Sequence, residues 1–226
     1  MRFRLIVVMH FNKPATITLV VITGASLLGI ALVDSKENPS EVLHSIFIAL
    51  LVSCIFYAGT VAIPEIQRRK RIRNGLSKQY RSFKKSCIDL YLIASNSQEY
   101  SDRENLLDHK EFRRYFSILT TGSQTRWDLV ATSIDDGNYI FEELINEFES
   151  LIREINYARS NVEIYDDDVE EFFSRMVEIV HRLKATKPGT DDYKYFCRTL
   201  WSIFTRWDFA VGQREDDIIE TMIERI

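Results

Sequence analysis

The residues of this chain best suited to chemistry are arginines and lysines that stand close to aromatic residues in its C-terminal half. Arginine binds phosphate groups through paired hydrogen bonds, and aromatic rings stack on nucleic-acid bases. Core packing is the alternative role for each aromatic residue. The candidate ligand-binding residues are Arg113, Arg114, Arg126, Trp127, Tyr193, Lys194, Arg198, Arg206 and Trp207.

Patterns typical of catalysis or metal binding are missing from the sequence. The histidines are scattered at positions 10, 44, 109 and 181, and no HExxH, CxxC, Walker or GxGxxG pattern occurs. Neither Cys87 nor Cys197 has a neighbouring histidine, so nucleophilic catalysis is poorly supported. The acidic run at 166–168 is explained more simply as the solvated start of a helix than as a metal site. We therefore expect a binding protein without a metal or cofactor, not an enzyme.

Charge is distributed unevenly along the 226 residues. Positions 1–85 carry 13 basic and 4 acidic residues, whereas positions 86–226 carry 16 basic and 29 acidic residues. The acidic C-terminal part is unsuited to wrapping long nucleic acid, although a few local cations suffice for a small anionic ligand.

Two long apolar runs near the N-terminus predict a transmembrane hairpin. Residues 15–33 contain no charge, and residues 42–63 contain only one titratable polar side chain, that of His44. At 1.5 Å per residue, both match the thickness of a bilayer core. A buried helix of a soluble protein is the alternative for either run, and two uncharged runs in succession argue against it. A secretory signal peptide is the other alternative for the first run, but no A-x-A site follows it and a second apolar run does.

The basic residues around these runs predict the orientation of the hairpin. Three basic residues, Arg2, Arg4 and Lys13, precede the first span. The connecting loop, 34–41, contains a single basic residue, Lys36. A dense basic stretch follows the second span. Both termini of this multi-pass protein are therefore expected on the cytoplasmic side of the inner membrane. We predict a cytosolic segment 1–14, the hairpin 15–63, a basic juxtamembrane helix 64–85 and a cytosolic domain 86–226.

The basic stretch is also predicted to contact anionic lipids of the inner leaflet, with nucleic acid as the rival partner. Its cations are Arg68, Arg69, Lys70, Arg71, Arg73, Lys78, Arg81, Lys84 and Lys85.

Small residues recur at intervals of four in both spans. Ser45, Ala49 and Ser53 share one face of the second span, and Ala25 and Gly29 repeat the spacing in the first. Such rows allow helices to approach closely, so we expect a homo-oligomer.

Apolar residues at intervals of three and four predict an all-α domain after the spans, without strands. Asn74-Gly75 is a predicted weak point of its first helix, and Lys187-Pro188-Gly189 is a predicted break. The predicted helices cover 67–94, 108–119, a segment from 126 capped by Thr125, 139–157, 166–184, 191–209 and 215–226.

The tetrapeptide TRWD occurs twice, at 125–128 and at 205–208. Each copy is followed by an apolar stretch and an acidic pair, Asp135-Asp136 or Asp216-Asp217. This similarity indicates either a decayed duplication of a helical pair or chance.

The layout of hairpin, basic helix and all-α domain resembles the two-span membrane effectors of bacterial antiviral defence. Within that class it is most similar to the effector of type III CRISPR systems that cyclic tetra-adenylate activates. The resemblance covers the architecture of the whole chain and no diagnostic motif.

The resemblance implies that the cytosolic domain binds a cyclic oligoadenylate and that the spans then form a pore or disrupt the membrane. A ligand with four equivalent phosphates suits a tetramer, in which each subunit supplies one or two cations and a stacking ring. The alternative is a membrane-anchored helical scaffold for protein interactions, without ligand gating.

Overall fold

The chain is almost entirely helical in the computed structural model, which describes residues 13–34, 41–120, 122–136, 139–185, 191–208 and 212–226. The predicted break at Lys187-Pro188-Gly189 lies outside the described residues, as do residues 1–12 of the predicted N-terminal segment and residues 35–40 of the predicted loop. The α-helices of the described residues are α1 (Lys13–Asp34), α2 (Glu41–Tyr57), α3 (Ile63–Ala94), α4 (His109–Phe116), α5 (Arg126–Asp135), α6 (Tyr139–Asn161), α7 (Asp167–Lys184), α8 (Asp191–Thr205) and α9 (Ile218–Glu224).

The fold also contains a π turn, described below, a 3-10 helix and two strands. A 3-10 helix covers Arg103–Leu107, and two short strands, β1 (Trp207–Asp208) and β2 (Gly212–Gln213), pair antiparallel. The predicted all-α class is confirmed, because these strands contain two residues each. The prediction of no strand is wrong at this one hairpin.

The chain divides into two units, Met1–Arg71 and Ile72–Ile226. In the first unit α1 and α2 pack against each other. Ser26 of α1 is buried, and the ring of Phe47 in α2 lies so close to Gly29 that an added Cβ would be 2.4 Å from it. Gly29 therefore permits the close approach that its spacing predicts.

The small residues of α2 lie on a different face from this contact. Ser45, Ala49 and Ser53 are exposed, whereas Cys54 is buried. The Ser45 hydroxyl donates to the Glu41 carbonyl and the Ser53 hydroxyl to the Ala49 carbonyl, each at 2.8 Å. Within this unit the row of small residues is therefore not used for helix packing.

Helical residues continue without a gap from Glu41 to Ala94, and among the described residues this is the one helix long and apolar enough to cross a membrane. The apolar part of α1, Val20–Val33, is shorter. A π turn at Ala58–Ala62 joins α2 to α3, where the Ile63 amide donates to the Ala58 carbonyl. Pro64 follows, and its lack of an N–H disturbs regular α-helical bonding.

Helix α3 contributes one face to the core of the second unit. Its residues Leu76, Phe83, Cys87 and Tyr91 are fully buried. The Phe83 ring lies edge-on to Phe148 of α6, with centroids 4.7 Å apart. Helix α3 passes without interruption through Asn74-Gly75, the predicted weak point. The helical unit therefore begins within the stretch predicted as a basic juxtamembrane helix.

Side-chain caps mark the starts of α4, α5 and α7. The Asp108 side chain accepts from the Lys110 and Glu111 amides, and the Asp166 side chain accepts from the Asp168 amide. Thr125 forms a capping box with Asp128, as its position predicts. The end of α8 differs from the prediction: the helix stops at Thr205, because Arg206 adopts a left-handed conformation with φ of 56°.

Candidate ligand-binding groove

A groove of about 530 Å³ lies between α7, α8 and the start of α9. Helix α7 contributes Phe172 and Met176, and α8 contributes Tyr195 and Arg198. The walls form because residues three or four apart on a helix share one face. Phe148 of α6 also lines the groove. The volume is within the range of small-molecule sites.

The lining of the groove is mainly apolar with a few polar groups. Arg198 supplies a guanidinium, and the Tyr195 ring is 51% exposed. The Thr199 hydroxyl donates to the Tyr195 carbonyl at 3.0 Å, and the Ser202 hydroxyl donates to the Trp207 carbonyl at 2.6 Å. The groove thus offers an aromatic face and a cation beside apolar walls, which suits a planar apolar group that bears an anion.

A buried carboxylate stands directly behind the α9 wall of the groove. Asp217 is 5% exposed and precedes Ile218 and Ile219, which line the groove. Its oxygens accept the Tyr80 hydroxyl at 2.8 and 2.9 Å and lie 3.2 Å from Lys84 Nζ. It also caps α9. The groove wall is therefore bonded directly to α3.

The same network controls the ionisation of its tyrosine. Burial raises the pKa of Tyr80 well above the ordinary value, and the adjacent Asp217 carboxylate raises it further. Tyr80 accordingly remains a hydrogen-bond donor to Asp217 at neutral pH.

Of the nine predicted ligand residues, only Arg198 lines the groove. Arg113 and Trp207 are brought together elsewhere: Cζ of Arg113 lies 5.1 Å from the centroid of the Trp207 ring. The Arg113 guanidinium also donates to Oε1 of Gln213 at 3.1 Å. Arg114 is exposed and pairs with Glu111 on its own helix.

Arg126 and Trp127 take structural positions. Cζ of Arg126 lies 4.3 Å from the Tyr115 ring centroid, and Nη1 donates to the Tyr115 carbonyl at 3.2 Å. The Trp127 ring packs against Trp201 and Tyr91, with centroid distances of 4.9 and 5.4 Å. The Trp127 ring is thus part of an aromatic cluster at the core.

The remaining predicted residues are dispersed. Arg206 donates to the Glu215 carbonyl, and Lys194 lies on an exposed face of α8. Tyr193 is 2% exposed and stacks on Phe141 at 4.8 Å, so its ring does not face solvent. Its buried hydroxyl has no hydrogen-bond partner within the described residues.

The two TRWD segments have different structures. In the upstream segment, residues 125–128, Thr125 caps the start of α5. In the downstream segment, residues 205–208, Thr205 ends α8 and Trp207 begins β1. The structure gives no support to a duplicated helical pair.

Sequence reasoning missed most of the groove, although α7 carries a signal for it. Its apolar residues come in adjacent pairs, Phe172-Phe173, Met176-Val177 and Ile179-Val180. At about 100° per residue these six positions cover about 160° of arc, which is wider than the stripe of about 100° that one buried face needs. Phe173 is buried in the core, while Phe172 and Met176 line the groove.

Among the described residues, no three His, Cys, Asp or Glu side chains are grouped so that they could hold a metal ion. Comparison of the chain with protein-family models, with curated proteins and with solved structures finds no match.

Proposed function

We propose that this chain is an oligomeric membrane effector of antiviral defence that is gated by a cyclic oligoadenylate. The observation that carries the proposal is the continuous helix Glu41–Ala94. Its first part is apolar enough to cross a membrane, and its last part supplies core residues to the helical unit that contains the groove. A ligand that binds this unit could act on the membrane segment through that helix.

In this proposal α1 and α2 both cross the inner membrane, with both termini in the cytoplasm. Their outward apolar side chains support it: Val20 is 65% exposed and Phe56 is 69% exposed. The exposed row of Ser45, Ala49 and Ser53 would then meet neighbouring subunits, where small residues allow close packing. The assembled helices form a pore or disrupt the bilayer.

The ligand site in this proposal is the groove. One adenine base would stack on Tyr195, and Arg198 would bind the adjacent phosphate. The ligand would extend across several subunits, so each groove need hold one nucleotide unit only. A cyclic tetranucleotide is shared most simply among four subunits.

Gating requires that the ligand bind one arrangement of the protein more tightly than the other. The bonds from Asp217 to Tyr80 and Lys84 supply a physical link from the groove wall to α3. A ligand that moves Ile218 or Ile219 would change the position of this carboxylate.

The test is ligand binding by the full chain in detergent, measured as a thermal shift with cyclic di-, tri-, tetra- and hexa-adenylates. A ligand at a hundred times its Kd stabilises a protein by about 2.7 kcal/mol, which moves the midpoint by several degrees. We expect this shift with one ring size only. No shift from a folded chain would contradict the proposal.

Paired variants locate the site. Arg198→Ala is expected to weaken binding by about tenfold or more, because a charged hydrogen bond is lost. Arg175→Ala is the matched control: this arginine lies on α7, pairs with Glu171 and is 71% exposed. Loss of binding in Arg126→Ala or Arg206→Ala, with Arg198→Ala intact, would move the site away from the groove.

The scaffold alternative is favoured by the largely apolar lining of the groove, which suits an amphipathic helix from a protein partner. Dye release from vesicles separates the two functions. An effector releases dye only after the cyclic nucleotide is added, whereas a scaffold releases none under either condition.

A further inference from the structure

The nine cations of the basic stretch fall into two classes when their contacts are compared. Six of them bond to groups of this chain. Arg68 and Arg69 face Glu65, Arg73 donates to the Glu224 carbonyl, Lys84 meets Asp217, and Arg81 and Lys85 pair with Glu104. These six cations each have a partner within the chain.

The other three cations are Lys70, Arg71 and Lys78. Each is exposed, and none has an ion pair or hydrogen bond from its side chain within the described residues. A rotation of about 100° per residue places all three within about 100° of arc on α3. Of the nine cations, these three are therefore the ones whose charge no group of the described residues neutralises.

Distance along the helix separates Lys78 from the adjacent pair Lys70 and Arg71. Measured from Ile63, the end of the predicted span, Lys70 and Arg71 lie about 10 and 12 Å further along the axis, and Lys78 lies about 22 Å further. The headgroup layer is about 6 Å deep on each side of the bilayer. Charges are screened over about 8 Å at physiological salt. Lys70 and Arg71 are within that range of the headgroups, and Lys78 is beyond it.

We infer that Lys70 and Arg71 form a binding surface for the phosphate groups of anionic phospholipids in the cytoplasmic leaflet. Lys78 has the same charge, helix and exposure, but it does not take part. The inference rests on the proposed function in one respect, that the helix beginning at Glu41 crosses the membrane. It requires neither a cyclic nucleotide ligand nor a pore.

The surface suits a lipid phosphate for two chemical reasons. The Arg71 guanidinium can bind a phosphate through two hydrogen bonds, and Lys70 adds a point charge beside it. Both side chains are long enough to lean back toward the headgroups while their alkyl stems cover apolar surface. Ile66, one helical turn before Lys70, is 41% exposed and continues the apolar surface toward the bilayer.

The experiment uses the full chain in mild detergent, titrated with dioleoyl phosphatidylglycerol or dioleoyl phosphatidylcholine, with bound lipids counted by native mass spectrometry. We expect the wild type to prefer the anionic lipid. The variant K70Q/R71Q should lose about fivefold in affinity for each cation removed, whereas K78Q should change by less than twofold. Raising the salt to 1 M should weaken the wild-type preference and leave that of K70Q/R71Q unchanged.

Three results would overturn the inference, each in a distinguishable way. Equal effects of K70Q/R71Q and K78Q would show that position along the helix does not matter. Binding of a single-stranded DNA oligonucleotide that is lost in K70Q/R71Q, without lipid preference in the wild type, would assign the pair to nucleic acid. Release of the wild type from phosphatidylglycerol vesicles by alkaline carbonate would refute membrane crossing, and with it both this inference and the proposed function.

Discussion

The two TRWD segments have the same four residues and opposite structures. At residues 125–128 the threonine accepts the Asp128 amide at 3.1 Å and starts a helix. At residues 205–208 the threonine is buried, donates to the Trp201 carbonyl at 2.7 Å and ends a helix. The difference lies in the neighbours: an exposed turn precedes Thr125, whereas Thr205 continues a helix whose buried residues belong to the core.

The acidic pairs that follow the two segments differ in the same way. Asp136 is an exposed residue at the C-terminal end of α5, where the helix dipole disfavours a carboxylate. Asp217 is a buried residue at the N-terminal end of α9, where the dipole favours one. Identical residues therefore contribute differently to the free energy of unfolding, depending on how far they are buried and which groups they bond.

Substitutions in the two acidic pairs should give the largest difference in the free energy of unfolding between the two TRWD regions. Asp217→Ala should lower the free energy of unfolding by about 4 kcal/mol, since it removes the cap of α9 and leaves Lys84 buried without its partner. Asp136→Ala should change it by less than about 0.5 kcal/mol. Urea unfolding of the full chain in detergent measures both.

A second substitution tests the cause of that loss. Lys84→Met in the Asp217→Ala background removes the uncompensated charge, so part of the stability should return. If the double variant is as unstable as the sum of the single variants, the ion pair is not the reason.

The tryptophans should differ by a smaller amount. Trp127→Ala is expected to cost about 3 kcal/mol, because the ring packs against Trp201 and Tyr91. Trp207→Ala should cost about 1 kcal/mol, since its ring receives the Arg113 guanidinium at a partly exposed site. Equal losses in thermal unfolding would show that the Trp207 ring is also part of the core.

The threonines allow one substitution to be compared at both sites. Thr125→Val should lower the free energy of unfolding by about 1 kcal/mol, because valine cannot accept the hydrogen bond from the Asp128 amide in the capping box. Thr205→Val should cost less than about 0.5 kcal/mol, since its hydroxyl donates to a carbonyl within its own helix. Thermal midpoints measure the difference, and a larger effect at Thr205 would reverse the assignment of the cap.

The arginines of the two TRWD segments, Arg126 and Arg206, should show the smallest difference. It is a difference in how stability depends on pH. Burial and then the Arg206 charge lower the pKa of His109, with Lys110 and Lys84 acting in the same direction and Asp108 opposing them. The unfolded chain therefore binds a proton more readily, and stability should fall as the pH drops below about 6.5, the ordinary value for histidine.

Variants at the arginines test which charge is responsible. Arg206→Gln should raise the pKa of His109 and make stability less sensitive to pH, whereas Arg126→Gln should do neither. An NMR titration of the His109 ring follows the change directly. Equal shifts of the His109 pKa in both variants would mean that the charge of Arg206 is not specifically responsible for lowering it.

The sequence predicted those parts of the fold that depend on local chemistry. The sequence predicts the cap at Thr125 and the helix starts at Asp108 and Asp166, and in the structure all three side chains accept hydrogen bonds from amides next to them. The end of α8 and the strand pair were not predicted, since the left-handed turn at Arg206 is held by contact with the Glu215 carbonyl.

The groove was missed for a different physical reason. It exists because the faces of α7 and α8 remain apart above Phe148, and such a gap depends on the placement of three helices. The sequence predicts Arg198 as a cation near aromatic residues, and Tyr195 lies beside it on α8, but the other walls of the groove come from α6, α7 and α9. Conversely, Tyr193 and Trp127 stand next to basic residues, which is the pattern that predicts ligand binding. In the structure their rings pack instead with other aromatic rings of the helical unit.

The π turn at Ala58–Ala62 has a consequence for how this helix tolerates changes in length. A π turn holds about one residue more than an α turn, so the helix continues while the residues after it rotate by about 100°. Deleting Gly59, whose site has open space around it, would remove the extra residue of the π turn and keep the residues on both sides helical. It would also turn Lys70 and Arg71 to a new side relative to the face of α2 that contacts α1. Loss of a single residue there would therefore turn the charged face of α3 and leave the helix unbroken.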